Sequence, residues 1–231
     1  MKNFLLISSV LGAALAANAA LASTEALKVG DYYGGGVVFH VYEEHGRQHG
    51  LIAAINDVAE CNEMGCVWDI TENCSASPVS CVKTGAVAGT PDYAGGQGEL
   101  ATGINNLPQT VEAFSDVSCK NQEQTLTGLQ CAPAAHYASK YEVEASCLRC
   151  SDWYLPSATE LHLMFEQKDI INETAVAHGG ERFRTSFYPY WSSTENIDSG
   201  EVSAWYQYFS ADVFIFGGKY EGAHVRAIRS F

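Results

Sequence analysis

Eight cysteines are the feature that most constrains how this 231-residue chain can fold. Four of them fall within residues 61–81, which predicts a compact, cross-linked loop region. An even number of cysteines in an exported chain indicates disulfides, each of which disfavours the unfolded chain by about 2–4 kcal/mol. The spacing leaves the pairing open. The cysteines are Cys61, Cys66, Cys74, Cys81, Cys119, Cys131, Cys147 and Cys150.

The N-terminus indicates export into an oxidising compartment. A positive start at Lys2 precedes the mostly apolar residues 4–15, and small alanine-rich triplets follow up to Ala22. These are the three parts of a secretory signal peptide, and the apolar run is shorter than the ~20 residues of a spanning helix. We predict a signal peptide over residues 1–22. We expect one mature domain over 23–231, located in the periplasm, at the cell surface or in the medium.

The charge balance narrows the range of partners. The chain has 13 basic and 27 acidic residues, a formal net charge of −14, and the basic residues are scattered. Such a surface repels phosphate backbones, so nucleic acid is not expected as a partner. After the leader, no stretch is long and apolar enough to span a bilayer. We therefore expect a protein peripheral to the envelope.

The first half of the chain predicts a hairpin followed by loops and helices. Residues 37–42 and 51–55 are β-branched or apolar and flank the polar turn 43–50, which indicates two paired strands. Residues 56–98 lack periodicity and carry the cysteine cluster, which indicates a long disulfide-stapled loop region. Helical spacing predicts helices over 99–118, where Pro108 would kink or break the helix, and over 134–143.

The second half predicts one well-marked helix and a β-rich end. Ser157 and Glu160 form a capping box after Pro156, which predicts a helix that begins there and ends near Lys168. Four short runs rich in aromatic and β-branched residues then predict mainly antiparallel strands. These runs are residues 190–193, 204–209, 213–216 and 225–229.

The order of several short motifs resembles a known bacterial family. Each motif is weak by itself, and their number and order carry the resemblance. The motifs are Gly35–Phe39, His49–Ala54, Asp152–Ser157, Glu160–Leu161, Trp191–Glu195, Ala204–Trp205 and Val225–Arg229. Together they resemble the family named after the C-terminal domain of the collagen-like adhesin Lcl, over about residues 30–231.

The resemblance implies a C-type-lectin-like α+β fold. In that fold the N- and C-terminal strands pair, two helices flank small antiparallel sheets, and long loops, here disulfide-stapled, carry binding. The family's named member binds sulfated glycosaminoglycans as a trimeric surface adhesin. This chain has no collagen-like repeat and is strongly acidic. The resemblance therefore carries over the fold, and not the sulfated ligand.

No catalytic, metal or cofactor motif stands out. The tripeptides of calcium-dependent lectins and the EF-hand pattern are absent, and we read Glu195, Asp198 and Glu201 as solvated loop acids rather than calcium ligands. Cys147 and Cys150 form a Cys-x-x-Cys pair, for which a structural disulfide is favoured over a redox site because a βαβ setting is lacking. We predict no catalytic residues, no metal and no cofactor.

Two arginines near the C-terminus predict a structural ion pair. Arg226 and Arg229 point to opposite faces of a strand, and an arginine near the core requires a carboxylate or carbonyl partner. Glu160 and Glu195 are the candidate carboxylates. We predict that one such pair fixes the capped helix to the last strand.

The late aromatic residues supply the candidate binding surface. Alternate residues of a strand face opposite sides, so one set packs the core and the other faces outward. We expect Trp191 and Trp205 in the core. Tyr206 and Tyr208 are predicted to be exposed, with Glu195 as a further binding candidate.

Three functions follow in order of preference. The first is an exported binding module, adhesin-like, that recognises a glycan or a protein through surface loops. The second is a structural or assembly role in the envelope without a soluble ligand. The third is a thiol-dependent enzyme that uses Cys147 and Cys150. A homo-oligomer is left open by the sequence.

Overall fold

The protein is a mixed α+β structure with small antiparallel sheets. A computed structural model describes residues 26–61, 65–71, 74, 81–82, 84, 103–121, 124–143, 152–185, 187–196 and 202–231. The predicted leader, most of the cysteine-rich region and the Cys147–Cys150 pair lie outside the described residues. The predicted division into a leader and one domain therefore stays a prediction.

The first sheet joins the beginning and the end of the described chain. It contains β1 (Tyr32–Tyr33), β2 (Gly36–Glu44), β3 (Arg47–Ala54) and β9 (Ile228–Ser230) in the order β1-β2-β3-β9. All of these pairs are antiparallel. The predicted hairpin is confirmed, and so is the α+β class.

The hairpin is longer than predicted. The polar stretch that we expected to be a turn continues both strands, and Glu44 lies opposite Arg47 in the register. The turn itself is only His45 and Gly46, which both have positive φ values, 51° and 71°. A two-residue turn of this kind matches the twist of its strands, so polar residues extend the ladder into solvent.

The second main sheet is formed by the C-terminal strands. It contains β6 (Tyr190–Glu195), β7 (Ser203–Tyr208) and β8 (Val213–Gly218) in that order, all antiparallel. A separate two-stranded sheet pairs β4 (Ser118–Asn121) with β5 (Gln124–Thr127). The predicted strands at 190, 204 and 213 are confirmed, whereas the strand predicted over 225–229 is only the three-residue β9.

Four α-helices occur in the described residues instead of the two that the resemblance implies. They are α1 (Gly103–Ala113), α2 (Pro133–Ser139), α3 (Ala158–Glu166) and α4 (Lys168–Ala177). Helix α1 continues through Pro108, so of the predicted kink or break the break does not occur. Helix α4 was not predicted. It begins directly after Gln167. The capping-box helix α3 was predicted to end near Lys168 and ends at Glu166.

Two hydrophobic clusters hold these layers together. One surrounds the tryptophans Trp68, Trp153 and Trp191 and packs against the second sheet. The other lies between the first sheet and helices α3 and α4, around Phe39 and Leu161. Within the described ranges, no helix combines the length and apolarity that crossing a bilayer requires.

Candidate functional site

A buried ion pair joins the C-terminal segment to the end of the first hairpin. Arg226 and Asp57 are both buried, and Nε of Arg226 lies 2.6 Å from Oδ1 of Asp57. The Tyr190 hydroxyl donates to Oδ2 of Asp57 at 2.9 Å, and Nε of Arg184 lies 3.4 Å from the same oxygen. Burial by itself lowers the pKa of Arg226, but Asp57, Tyr190 and Glu181 together outweigh it and the pKa is raised. Arg226 is therefore charged inside the core.

The remaining guanidinium nitrogens of Arg226 bind backbone carbonyls. Nη1 donates to the carbonyl oxygens of Ala54 at 3.1 Å and Glu181 at 3.4 Å, and Nη2 donates to that of Arg182 at 3.4 Å. The guanidinium carbon also lies 4.5 Å from the ring centre of Phe183. A buried charge is tolerated when its donors are satisfied in this way, so Arg226 fixes segment 181–183 to the hairpin.

A second buried ion pair lies where strands β6 and β8 end. Nζ of Lys219 is 2.5 Å from Oε1 of Glu195, and both side chains are fully buried. Nζ also donates to the carbonyl of Val82 at 2.6 Å and lies 4.3 Å from the ring centre of Trp68. The backbone N–H of Thr84 donates to the same Glu195 oxygen at 2.9 Å. This pair therefore anchors the cysteine-rich segment to the second sheet.

The predicted ion pairs named the wrong carboxylates. Arg226 pairs with Asp57, and Nε of Arg229 pairs with Oδ1 of Asp152 at 2.9 Å. Glu195 is engaged with Lys219, and Glu160 closes the capping box by accepting from the N–H of Ser157 at 2.7 Å. The last segment places Arg226 beside the hairpin and Arg229 beside Trp153. Glu160 therefore does not pair with either arginine in this way, and its carboxylate takes part in the helix cap.

An aromatic surface lies on one face of strands β7 and β8. Trp205 stacks on Phe214 with ring centres 5.0 Å apart and meets Phe216 edge-on at 5.6 Å. Trp205 and Phe216 are opposite each other in the register, so they share a face. His162 of α3 borders this surface, with its ring centre 6.2 Å from that of Phe214 and its Nδ1 3.2 Å from Oε1 of Gln207. Phe216 is 50% exposed.

The face of strand β7 that turns toward the core was predicted wrongly. Tyr206 is only 7% exposed and packs against Trp191 in the core, which raises the pKa of the Tyr206 hydroxyl through burial. Tyr208 is half-buried and contacts the Tyr206 ring edge-on. Trp191 is buried as predicted, whereas Trp205 is half-buried on the outer face. Both faces of this strand carry aromatic residues, so alternation alone does not tell which face turns inward.

Comparison with protein families supplies the assignment. The model of the Lcl C-terminal domain matches residues 67–229, well over half of the chain. The chain belongs to the Lcl C-terminal domain family. A search of the curated proteins finds no matching relative. The matched region of this Lcl C-terminal domain includes Arg226, the Lys219–Glu195 pair and the aromatic surface, whereas Asp57 precedes it.

Among the described residues there are three disulfides, one just before the region matched by the Lcl C-terminal domain model and two within it. They join Cys61 to Cys66, Cys74 to Cys81, and Cys119 to Cys131. The remaining predicted pair, Cys147 and Cys150, lies outside the described residues.

The carboxylate of Asp69 lies beside the sulfurs of Cys74 and Cys81, a grouping of metal-ligand type. The two sulfurs are bonded to each other, and the Asp69 oxygens accept from the N–H groups of Thr71 at 2.8 Å and Val82 at 2.7 Å. The grouping is therefore a disulfide beside a carboxylate that accepts backbone hydrogen bonds. The carboxylate fixes the backbone on both sides of the disulfide.

Several residues that build the site were missed by the sequence analysis. Asp57 follows the apolar run 51–55 after one residue, Asn56, and an acid just beyond a buried strand was the available signal. Lys219 follows two glycines in an otherwise acidic chain and gave no local sign of burial. Trp68 stood in the region that we read only as loop. The Nε1 of Trp68 donates to the carbonyl of Ser192 at 2.9 Å, which ties that region to β6.

Proposed function

We propose that this Lcl C-terminal domain is an exported, non-catalytic binding module that takes a neutral glycan on the aromatic surface of Trp205, Phe214 and Phe216. The observation that carries the proposal is that these three rings share one face of strands β7 and β8, where Phe216 is 50% exposed and Trp205 and Phe214 are half-buried. Aromatic faces are suited to the apolar C–H faces of sugar rings, and rigid aromatic contacts lose little conformational entropy on binding.

The border of the aromatic surface supports a ligand with hydroxyl groups. The imidazole of His162, whose side chain is 29% exposed, forms a polar edge next to Phe214, and the buried amide of Gln207 contacts its Nδ1 from inside. Sites that bind small ligands combine apolar walls with a few placed polar groups. The net charge of −14 disfavours anionic polymers, so a neutral sugar is the fitting class.

A C-type-lectin-like topology is part of the same proposal. Strand β9 at the C-terminus pairs with β3 of the first hairpin, which is the closure that this fold implies. Helices α3 and α4 pack in the cluster on one face of the first sheet, and Trp68 lies with four of the disulfide-bonded cysteines in the cluster on the other face. The three disulfides and the leader pattern support export.

The non-catalytic part of the proposal is supported by how the buried charges are used. Asp57 is held by Arg226 and Tyr190, and Glu195 is held by Lys219 and Thr84. Catalytic acids and bases require an accessible face toward a substrate. These carboxylates instead point into the core.

The test is a glycan array at low and at physiological salt, with and without EDTA, using the exported protein. We expect saturable binding to neutral glycans that persists at physiological salt. Phe216→Ala should weaken binding at least about tenfold, equivalent to ~1.4 kcal/mol. The matched control is Val176→Ala, which removes an apolar side chain of 47% exposure from α4.

Two outcomes would overturn the proposal. A blank array would discard glycans and direct the search to protein partners. Binding that Phe216→Ala leaves unchanged would place the ligand elsewhere on the molecule. Loss of binding in EDTA would add a cation to the site, while the aromatic surface would keep its role if Phe216→Ala also weakens binding.

A further inference from the structure

The connection between helix α4 and strand β6 presents arginine and aromatic side chains to solvent. Arg182 is exposed, the side chain of Arg184 is 38% exposed, Phe187 is 95% exposed and Tyr188 is 40% exposed. We call these four side chains the basic aromatic surface. A single exposed apolar residue is normal, but arginine and aromatic residues together are the types that protein–protein interfaces enrich.

The backbone under this surface is fixed by hydrogen bonds although it forms no helix or strand. The N–H of Phe183 donates to Oδ1 of Asn172 at 2.7 Å, and the N–H of Arg184 donates to the Tyr190 hydroxyl at 2.8 Å. The guanidinium of Arg226 binds the two carbonyls that precede Phe183. A loop that is held in this way before a partner arrives loses little conformational entropy when the partner binds.

The side chains of the basic aromatic surface lie close to one another. Phe183 is 4% exposed between the two arginines, so the side chains of Arg182 and Arg184 face away from the core. Arg184 is near enough to His224 to lower the pKa of that ring, and the ring centre of Tyr188 lies 6.0 Å from that of His224. The arginine and the tyrosine are therefore neighbours beside the same imidazole.

This surface is positively charged on a chain that is acidic as a whole. Arg226 and Asp57 neutralise each other in the core, and Nε of Arg184 lies 3.4 Å from Asp57 while the rest of its side chain reaches solvent. The same segment contains one carboxylate, Glu181, whose Oε1 accepts from the N–H of Asp57 at 2.9 Å. Among the described residues, no carboxylate forms an ion pair with Arg182.

We propose that the basic aromatic surface binds a short acidic segment of a partner protein, in which carboxylates flank an apolar side chain. Guanidinium groups bind carboxylates through paired N–H donors, and the ring of Phe187 offers the apolar side chain a surface to cover. A long polyanion would also have to lie along the rest of a chain with a formal net charge of −14, which repels it. A short segment brings its carboxylates only to the arginines.

The test is selection from a phage library of short random peptides, with the exported, oxidised chain at physiological salt. We expect the enriched peptides to carry Asp or Glu on both sides of an apolar residue, and a synthetic peptide of the most enriched sequence to bind saturably. Arg182→Glu and Phe187→Ala should each weaken its affinity at least about tenfold. The matched controls are Arg47→Glu beside the hairpin turn and Val111→Ala at a 46% exposed position of α1, and both should leave the affinity unchanged.

A second measurement uses only the wild-type chain, so it does not depend on how a variant folds. The same peptide with its carboxylates replaced by amides should bind at least about tenfold more weakly, and the affinity for the acidic peptide should fall as salt rises.

The proposal is overturned by a selection that enriches no acidic peptides, by an amide peptide that binds equally well, or by an affinity that Arg182→Glu leaves intact. Displacement of the peptide by a sulfated polysaccharide at lower concentration would also overturn it and make a polyanion the ligand of this surface. Glycan binding on the surface of strands β7 and β8 is read separately through Phe216, so either proposal can fail while the other holds.

Discussion

Single residues in this fold illustrate how a charge is kept inside a protein. Removing a guanidinium or carboxylate from water costs several kcal/mol, and the cost is recovered only with good geometry and satisfied hydrogen bonds. Arg226 meets both conditions through Asp57 and three backbone carbonyls. Removing one partner is therefore expected to lower the free energy of unfolding by much more than the intact pair contributes to it.

Asp57→Ala is expected to lower the free energy of unfolding by about 3–5 kcal/mol, because Arg226 would stay buried without its counter-ion. Urea denaturation measures this change. Asp152→Ala is the matched control, since its carboxylate is 51% exposed and also pairs with an arginine, Arg229. Its loss should cost at most about 1 kcal/mol. Equal losses in the two variants would contradict the structural role of Asp57.

His224 predicts a pH dependence of stability. Its ring is buried beside Tyr190, and burial lowers its pKa below the ordinary 6.5, with Arg184 and Arg226 adding to the effect and Asp57 opposing it. Below that ordinary value the unfolded chain binds a proton that the folded chain does not. The free energy of unfolding should therefore fall as the pH drops below 6.5 toward the folded pKa, and level off beneath it.

The measurement is the urea midpoint of unfolding between pH 8 and pH 5.5, above the range in which ordinary carboxylates titrate. His224→Gln should flatten the slope in that interval. His45→Gln is the control because the His45 side chain is almost fully exposed. If His224→Gln keeps the wild-type slope, another group causes the pH dependence.

At the scale of elements, the beginning of α3 is the best-determined junction. Oγ of Ser157 accepts from the N–H of Glu160 at 3.2 Å, and the Glu160 carboxylate accepts from the N–H of Ser157. The N–H of Ala158 donates to Oγ1 of Thr194, and the Tyr154 hydroxyl donates to Glu160. The cap therefore also fixes the helix to strand β6.

Glu160→Ala should lower the melting temperature because it removes the cap acceptor and leaves the N–H of Ser157 without that partner. The expected loss is about 1–3 kcal/mol. Thermal unfolding followed by circular dichroism measures it. Glu166→Ala changes an exposed glutamate at the other end of the same helix and should cost much less. Equal shifts in both variants would contradict the importance of the cap.

Local signals explain which elements could be predicted from the sequence. The capping box and the apolar runs of the hairpin lie within a few residues of the elements that they specify, so α3 and the β2–β3 pair were predicted. The partner of Arg226 is Asp57, 169 positions earlier in the chain, and no local pattern links the two. For β7, aromatic residues on both faces left the inward face undetermined, and this misplaced Tyr206.

At the scale of the whole molecule, the Lys219–Glu195 pair connects regions that the sequence keeps far apart. It joins the ends of β6 and β8 to Trp68 and to the backbone at Val82 and Thr84. The disulfides seen among the described residues close only short loops, of 5 to 12 residues, and none of them links the cysteine-rich part to the second sheet. Long-range attachment of that part to the sheet therefore depends on buried contacts such as this pair.

A double-mutant cycle tests this attachment. Glu195→Gln keeps an oxygen for the N–H of Thr84 but removes the charge, and Lys219→Met keeps an apolar chain over Trp68. Each single change should lower the free energy of unfolding by about 3–5 kcal/mol, because it leaves a buried charge unpaired. The double variant should lose less than the sum, since neither charge is then left alone in the core.

Urea denaturation gives the coupling energy, and hydrogen exchange at Thr84 reports whether the segment detaches. Asp152→Asn with Arg229→Met is the matched cycle at a more exposed pair, where the coupling should stay below about 1 kcal/mol. Additive losses at Lys219 and Glu195 would mean that the two charges act independently. The disulfide-linked segment would then be held to the sheet by apolar packing around Trp68, and charge removal at Glu195 would leave the exchange of Thr84 unchanged.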